Sequence, residues 1–247
     1  MSDPCSEVEG ALERLANHDV LDIPDTHSRR GLEDGRATVW FFKNGLAGRR
    51  LRNFQALHHE TLSALLFRLR RRQGCRAQAL RGRLRRLLGD AAGARRELAG
   101  ASRSRPCARA EGWLGEMDVF DDPRSALLHL DRACALDEKW PRPRLWKAAA
   151  FMTMKRTAAA ARELEIFLRK ETSRPFVFTL LCFQLRMMEG DYRGAREEAL
   201  KAVKRDPGSP AGYDAAGKAL NGLKRRTEAL KRFHDARERD LDVAGTY

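Results

Sequence analysis

The sequence predicts an all-α protein, a right-handed superhelix of antiparallel helical hairpins that follows a short N-terminal extension. The main observation is a repeat of similar segments, marked by alanines at spacings of 32, 34, 35 and 34 residues. These alanines are Ala94, Ala126, Ala160, Ala195 and Ala229. A period near 34 residues is typical of stacked helical hairpins, each too small to bury its own apolar face. Runs rich in Val, Ile and Thr with strict alternation are absent, so the sequence predicts no sheet.

In the last repeat, small and apolar residues have the spacing of two buried helical faces. The first helix contributes Tyr213, Ala216, Gly217 and Leu220, and the second contributes Ala229, Phe233 and Ala236. This set resembles the tetratricopeptide repeat (TPR), and so does the preceding stretch GDYRGAREEALKAVKRDPGS, residues 190–209. The resemblance extends over about residues 75–241. It implies about four to five TPR-like repeats whose first helices line a concave surface.

The repeat divides the chain into an extension, a solenoid and a tail. We expect an acidic extension over residues 1–50, partly helical or disordered, that docks on a solenoid over residues 51–242, with a tail over 243–247. The predicted repeats are 75–106, 107–140, 141–174, 175–209 and 210–241. In the extension, Ser6 and Glu9 form a capping-box pattern that predicts a helix ending near Asn17. Its apolar stripe is Val8, Ala11, Leu12 and Leu15.

Charge is distributed unevenly along this basic chain. The whole sequence has a net charge of +14. Residues 1–36 hold nine acids against four arginines, a net charge of −5, whereas residues 43–109 hold eighteen bases against three acids, a net charge of +15. Helices that face solvent usually mix charges of both signs, so the basic region is a candidate binding surface.

The basic excess is greatest in the helical pair over residues 62–89, where a leucine stripe is expected to face the core and the arginines to face outward. The residues assigned to this anion-binding patch are Arg68, Arg71, Arg72, Arg76, Arg81, Arg83 and Arg86. The patch has two interpretations. It binds an anionic partner, such as nucleic acid, an acidic or phosphorylated protein tail or an anionic lipid, or it is a solvated helix surface.

The stretch FVFTLLCFQLRMM, residues 176–188, is apolar nearly all round. One interpretation is a fully buried helix. The other is that one face satisfies the core and the remaining apolar residues line a partner-binding groove on the concave surface. The residues assigned to this groove are Trp146, Leu180, Phe183, Gln184, Met187, Asp214, Lys218 and Asn221.

Patterns for catalysis, cofactors and metals are missing from the sequence. GxGxxG, P-loop and GxSxG motifs are absent. The consecutive residues 58–60, His-His-Glu, point in different directions on a helix and lack the i, i+4 spacing of a helical metal site. Asp22, Asp25 and His27 lie in a predicted loop without a further His or Cys nearby. We therefore expect no metal, no cofactor and no catalytic residue.

Cysteine usage and hydropathy suggest the compartment. The five cysteines are odd in number and scattered, without a CxxC pair, which is typical of reduced thiols in a cytoplasmic protein. The longest apolar stretch, residues 176–185, is too short to span a bilayer, so we expect no membrane insertion. The sequence does not predict an oligomeric state.

Three functional hypotheses follow from the sequence. The first is a non-catalytic interaction module, an adaptor or assembly factor that binds a peptide or partner protein in the concave groove. The second is a factor associated with nucleic acid or ribonucleoprotein, which uses the arginine-rich hairpin. The third is an accessory subunit or an enzyme without cofactor, which the fold does not exclude.

Overall fold

A computed structural model describes residues 3–16, 46–171 and 176–244, which contain twelve α-helices and no strand. Two helices, α1 (Pro4–Ala16) and α2 (Leu46–Leu69), precede the repeats. The others form five hairpins: α3 (Cys75–Leu87) with α4 (Ala91–Ser104), α5 (Ala108–Asp118) with α6 (Pro123–Leu136), α7 (Arg142–Thr153) with α8 (Thr157–Lys170), α9 (Phe176–Met188) with α10 (Tyr192–Arg205), and α11 (Pro210–Gly222) with α12 (Arg226–Ala244). Each hairpin packs on the next, which confirms the all-α solenoid.

Three of the five turns inside the hairpins have the same aspartate cap. Asp90, Asp122 and Asp191 each precede the second helix of a hairpin and accept a hydrogen bond from a backbone N–H three residues later, at 2.7, 3.0 and 2.9 Å. These bonds satisfy amides that the first turn of a helix leaves without a partner. Gly89 and Gly190 lie just before two of the aspartates, with φ of 88° and 76°, a conformation that side chains strain.

In three of the five hairpins, close contact between the two helices depends on glycine in the first helix. A Cβ atom added at Gly82 would lie 2.6 Å from Cγ of Leu98, and one added at Gly115 would lie 2.5 Å from Cγ of Leu130. Gly217 allows the same approach in the last hairpin. Real Cβ atoms do not come this close to a neighbour, so these glycines set the distance between paired helices.

The N-terminal helix α1 packs on the open end of the solenoid. Val8 and Leu12 are buried in a cluster with leucines of α2 and α3, among them Leu62, Leu69 and Leu84. This cluster covers apolar surface that the first hairpin would otherwise expose. α2 also contacts α11, the first helix of the last hairpin.

Helix α1 begins earlier than the capping-box pattern predicts. The predicted cap was Ser6, but the helix starts at Pro4, and the Asp3 carboxylate accepts hydrogen bonds from the Cys5 backbone N–H at 3.2 Å and from the Ser6 hydroxyl at 3.1 Å. Asp3 is therefore the capping residue. The predicted end near Asn17, the side chain of Leu15 and residues 245–247 of the tail lie outside the described residues and side chains.

Candidate peptide-binding site

A cavity of about 400 Å³ lies at the N-terminal end of the solenoid, between α1, α3, α5 and the segment that joins α6 to α7. Its walls combine apolar and aromatic surface with four arginines and two glutamates. The residues that give it this character are Glu9, Leu12, Arg76, Leu80, Arg83, Arg109, Trp113, Trp140, Arg142 and Glu171. The cavity thus has a positive formal charge beside an apolar wall.

Two tryptophans form the aromatic wall. The ring centres of Trp113 and Trp140 are 6.5 Å apart and their planes meet at 83°, an edge-to-face arrangement. A Cβ atom at position 112 would lie 2.4 Å from the Trp140 ring, so Gly112 is what lets this indole lie against α5. The Arg109 guanidinium carbon lies 4.0 Å from the centre of the Trp140 ring, within cation–π range. The wall therefore presents an indole face and a positive charge together.

A buried ion cluster supports the same wall from behind. Arg83 Nη1 donates to both carboxylate oxygens of Glu116, at 3.0 and 3.1 Å, and Arg86 also binds this carboxylate. Burial opposes ionisation of Glu116, but the two guanidinium groups outweigh it and lower the pKa of the carboxyl. Since the Arg83 guanidinium carbon also lies 5.7 Å from the centre of the Trp113 ring, one arginine both joins α3 to α5 and positions the cavity wall.

Ion pairs on both flanks of α1 hold it to the solenoid, and those of Arg76 lie at the edge of the cavity. Arg76 Nε donates to Glu9 Oε1 at 2.9 Å, and its Nη1 donates to Asp3 Oδ2 at 2.9 Å. Arg68 Nη1 donates to Glu7 Oε2 at 3.2 Å. The hydrogen bond to Glu9 raises the pKa of Arg76, consistent with a charged pair. An acidic helix is therefore already bound to the basic end of the solenoid.

The seven arginines of the predicted patch do not share one exposed surface. Arg83 and Arg86 were predicted to face outward, but they are only 6% and 5% exposed, because α3 contacts helices on several sides. Arg81 is half-buried, binds Glu97 at 3.0 Å and donates to the carbonyl of Leu69 at the end of α2. The members that remain exposed are Arg68, Arg71, Arg72 and Arg76. The outward placement of Arg83 and Arg86 was wrong.

The predicted apolar groove is filled by the protein's own core. Trp146, Leu180 and Phe183 are 4%, 7% and 2% exposed. Phe183 lies in a cluster of alanines that includes Ala195 and Ala215, and the other two belong to the core cluster around α7 and α9. Their assignment to an open groove was wrong. The alternative interpretation, a buried helix, describes α9 better.

The other residues assigned to that groove are half-buried or exposed. Gln184 and Met187 are half-buried. Lys218 Nζ lies 2.7 Å from Asp214 Oδ2, one turn away on α11, and Asn221 is exposed. Without the three buried apolar side chains, these groups do not make an apolar trough.

Sequence reasoning missed the residues that do surround the cavity. None of Trp113, Trp140, Arg109 and Arg142 is among the residues assigned to a site from the sequence. A signal was available, because Arg109 and Trp113 are four residues apart on one helical face. Trp140 adds a second aromatic beside a proline and an arginine at the start of the next repeat.

The described residues hold no group of three or more His, Cys, Asp or Glu side chains arranged to bind a metal ion. Asp22, Asp25 and His27 lie outside them. Within the same part of the chain, no helix combines the length and apolar character needed to cross a membrane. The five cysteines form no disulfide, and burial raises the pKa of the Cys107 thiol in the cavity wall.

Solved structures resemble this arrangement of hairpins. A tetratricopeptide repeat protein from Parabacteroides merdae superposes with a TM-score of 0.58 at 15% identity, over 96% of this chain and 93% of its own. The chain has a TPR-type helical-repeat fold. MamA gives a TM-score of 0.54 at 22% identity, over 66% and 96% of the two chains. The human IFIT1 dimer with PPP-AAAA gives 0.52 at 16%, over 92% and 64%. No protein-family model and no curated protein sequence matches the chain.

Proposed function

We propose that the protein is a non-catalytic interaction module that binds an acidic peptide segment of a partner protein in the cavity beside Trp113 and Trp140. The observation that carries this proposal is the cavity itself, in which a tryptophan pair adjoins Arg109 and Arg142 within about 400 Å³. The other two arginines of the cavity already bind glutamates of this chain. TPR-type repeats form extended surfaces that are suited to holding other chains. The groove at α9 and α11 is not part of the proposal, because its apolar residues are buried.

The chemistry of the walls favours a ligand with carboxylates and an apolar group. Arginine binds carboxylates with paired, planar hydrogen bonds. The edge-to-face indoles of Trp113 and Trp140 leave aromatic surface that an aliphatic or aromatic side chain can cover. A peptide that presents both kinds of group within one helical turn satisfies both walls at once.

Intramolecular binding supports the choice of a peptide. Glu9 and Leu12 of α1 line one side of the cavity, and Arg76 binds Glu9 there. The wall therefore already accommodates a carboxylate and an aliphatic side chain that are three residues apart on a helix. An external acidic peptide would use the same types of contact.

Nucleic acid is the competing class of partner. The IFIT1 structure contains PPP-AAAA. In this chain, however, Arg81, Arg83 and Arg86 of the proposed anion patch bind carboxylates within the fold, which lowers the charge that the patch offers to phosphates. We therefore place nucleic acid among the outcomes of the test rather than as a second function.

The test begins with selection of short random-sequence peptides on the full chain. We expect the selected peptides to carry Asp or Glu three or four positions from an apolar residue. Calorimetric titration with one selected peptide should give an affinity that falls at least about tenfold, or about 1.4 kcal/mol, in the Arg109→Glu variant, because the change replaces an attraction with a repulsion. Trp140→Ala should weaken binding as well, through loss of the aromatic wall.

The matched control is Arg193→Glu, which makes the same charge change at an exposed position of α10. It should leave the affinity unchanged. Equal weakening by both variants would mean that only net charge matters. Binding of generic RNA with a steep dependence on salt, and no selected peptide, would replace the proposal with the nucleic-acid hypothesis.

A further inference from the structure

The surface under α1 is a site built for an acidic amphipathic helix. On one side of α1, Cys5, Val8 and Leu12 are buried against leucines of α2 and α3. The two acidic residues lie on opposite flanks of this face, because positions two residues apart point in different directions on a helix. Glu7 pairs with Arg68 of α2, and Glu9 pairs with Arg76 of α3. The apolar face of α1 thus packs on the leucines of α2 and α3, and an ion pair on each flank joins it to one of these two helices.

The contact has the composition of an exchangeable interface. The carboxylate of Glu7 is 40% exposed and the side chain of Arg68 is 60% exposed, so water and salt reach the pair. Surface ion pairs of this kind add little stability and are screened by salt. A helix of 13 residues is also marginal without its packing partners. The buried side chains of Cys5, Val8 and Leu12 therefore supply most of what holds α1 in place.

This surface is continuous with the proposed peptide cavity. Glu9 and Leu12 contribute to the cavity wall, and Arg76 lies at the boundary between the cavity and the surface that α1 covers. A peptide longer than one turn that enters the cavity along α3 would meet α1.

We infer that the surface of α2 and α3 formed by Arg68, Arg76, Leu62, Leu69 and Leu84 binds an acidic amphipathic helix of a partner protein, and that α1 occupies this site in the free chain. The inference rests on the proposed function, since it names the partner class for the same end of the solenoid. It adds that the chain's own helix is a competitor.

Competition has a measurable consequence. A segment of the same chain has an effective concentration at its site, which an external ligand must overcome. The apparent association constant of the partner equals its intrinsic association constant multiplied by the fraction of molecules in which the site is open. Undocking α1 should therefore strengthen binding of any helix that uses this surface.

The test uses a fluorescent peptide with the sequence of residues 2–16, carrying Cys5→Ala to prevent oxidation. Its binding to the full chain is followed by anisotropy. The Val8→Asp variant places a charge at a fully buried position of α1 and should undock the helix. We expect this variant to bind the peptide at least about tenfold more tightly than the unmodified chain.

Two controls separate competition from general effects. Leu230→Asp makes a similar apolar-to-charged change at a residue that is 69% exposed and should leave peptide affinity unchanged. A peptide with Glu7→Lys and Glu9→Lys should bind poorly. Circular dichroism establishes that the solenoid of each variant is folded. If Val8→Asp does not fold, the full chain with Glu7→Arg and Glu9→Arg serves instead, because repulsion from Arg68 and Arg76 undocks α1.

Equal peptide affinity for the unmodified and undocked chains would overturn the inference. So would equal binding of the charge-reversed peptide. If a library-selected peptide still depends on Arg109 while undocking changes nothing, the inference fails and the proposed function stands. If no selected peptide binds the cavity, yet the α1 peptide binds the undocked chain and is weakened by Arg76→Glu, the cavity proposal fails and the α1 site remains.

Discussion

The contact between the first two hairpins differs in kind from the contact between the last two. Between α3 and α5, the Glu116 carboxylate is buried beside Arg83 and Arg86. Between α9 and α11, Phe183 packs on small side chains such as Ala215. Both contacts join the first helices of neighbouring hairpins. The same stacking arrangement is therefore held by buried ion pairs at one end and by apolar packing at the other.

The difference shows what a repeat does and does not determine. The repeat determines where hairpins stack, whereas the residues at the contact determine what the contact responds to. The stability that a buried charge cluster contributes depends on its geometry and on the protonation of its carboxylate. A contact among alanines depends on volume, because interiors are close-packed. In the last hairpins, ion pairs such as Lys218 with Asp214 instead join turns of one helix.

The largest expected effect comes from breaking the charge cluster. Glu116→Gln removes the carboxylate and leaves the guanidinium groups of Arg83 and Arg86 buried. Removal of one partner from a buried ion pair costs about 3–5 kcal/mol of unfolding free energy. Urea unfolding of the two chains measures the difference. A loss below about 1 kcal/mol would mean that this buried cluster contributes no more than an exposed ion pair. The two ends of the solenoid would then not differ in the way described above.

Acid provides the control for this prediction. The guanidinium groups hold the pKa of Glu116 below its ordinary value of 4.5 in the folded chain, against the opposing effect of burial. The unfolded chain takes up this proton at higher pH, so the stabilisation is complete above about pH 4.5 and is lost as the pH falls through the folded pKa. The stability of the Glu116→Gln variant lacks this part of the acid dependence.

An intermediate effect should follow from overpacking the last hairpins. Ala195 is fully buried, and Ala195→Leu should cost about 1–3 kcal/mol, since added methylenes force neighbours to shift. Thermal unfolding measures the loss. Arg193→Leu, an exposed position two residues earlier on α10, is the matched control and should change stability little. If Arg193→Leu were the more damaging variant, the assigned faces of α10 would be wrong.

The smallest effect should come from the ion pairs of α1. Arg68→Gln removes the exposed pair with Glu7 and should reduce stability less than either change above. The reduction should shrink as salt rises, because the screening length falls from about 10 Å at 0.1 M to about 3 Å at 1 M. Unfolding at both salt concentrations checks this. A reduction that does not depend on salt would mean that packing of the Arg68 side chain is responsible.

The alanine period was sufficient to predict the fold class, because small residues at fixed intervals let the paired helices of stacked hairpins approach closely. It was not sufficient for the site. A helical stripe predicts one buried face, but α3 contacts helices on several sides, so Arg83 was wrongly placed outside. Glu116 lies 33 residues after Arg83, the equivalent place in the next hairpin, and pairing equivalent positions would have brought the two charges together.

The tryptophan pair gives the cavity an optical property. Trp113 and Trp140 are two of four tryptophans in the chain, and both lie in the cavity wall, whereas Trp146 is buried in the core. Indole emission shifts in wavelength and intensity with local polarity and with nearby charge. A molecule that displaces water from these rings changes their emission while Trp146 stays constant. Trp40 lies outside the described residues, so with Trp40→Phe the unlabelled chain is its own sensor, and stopped-flow fluorescence can time each arrival and departure at the cavity.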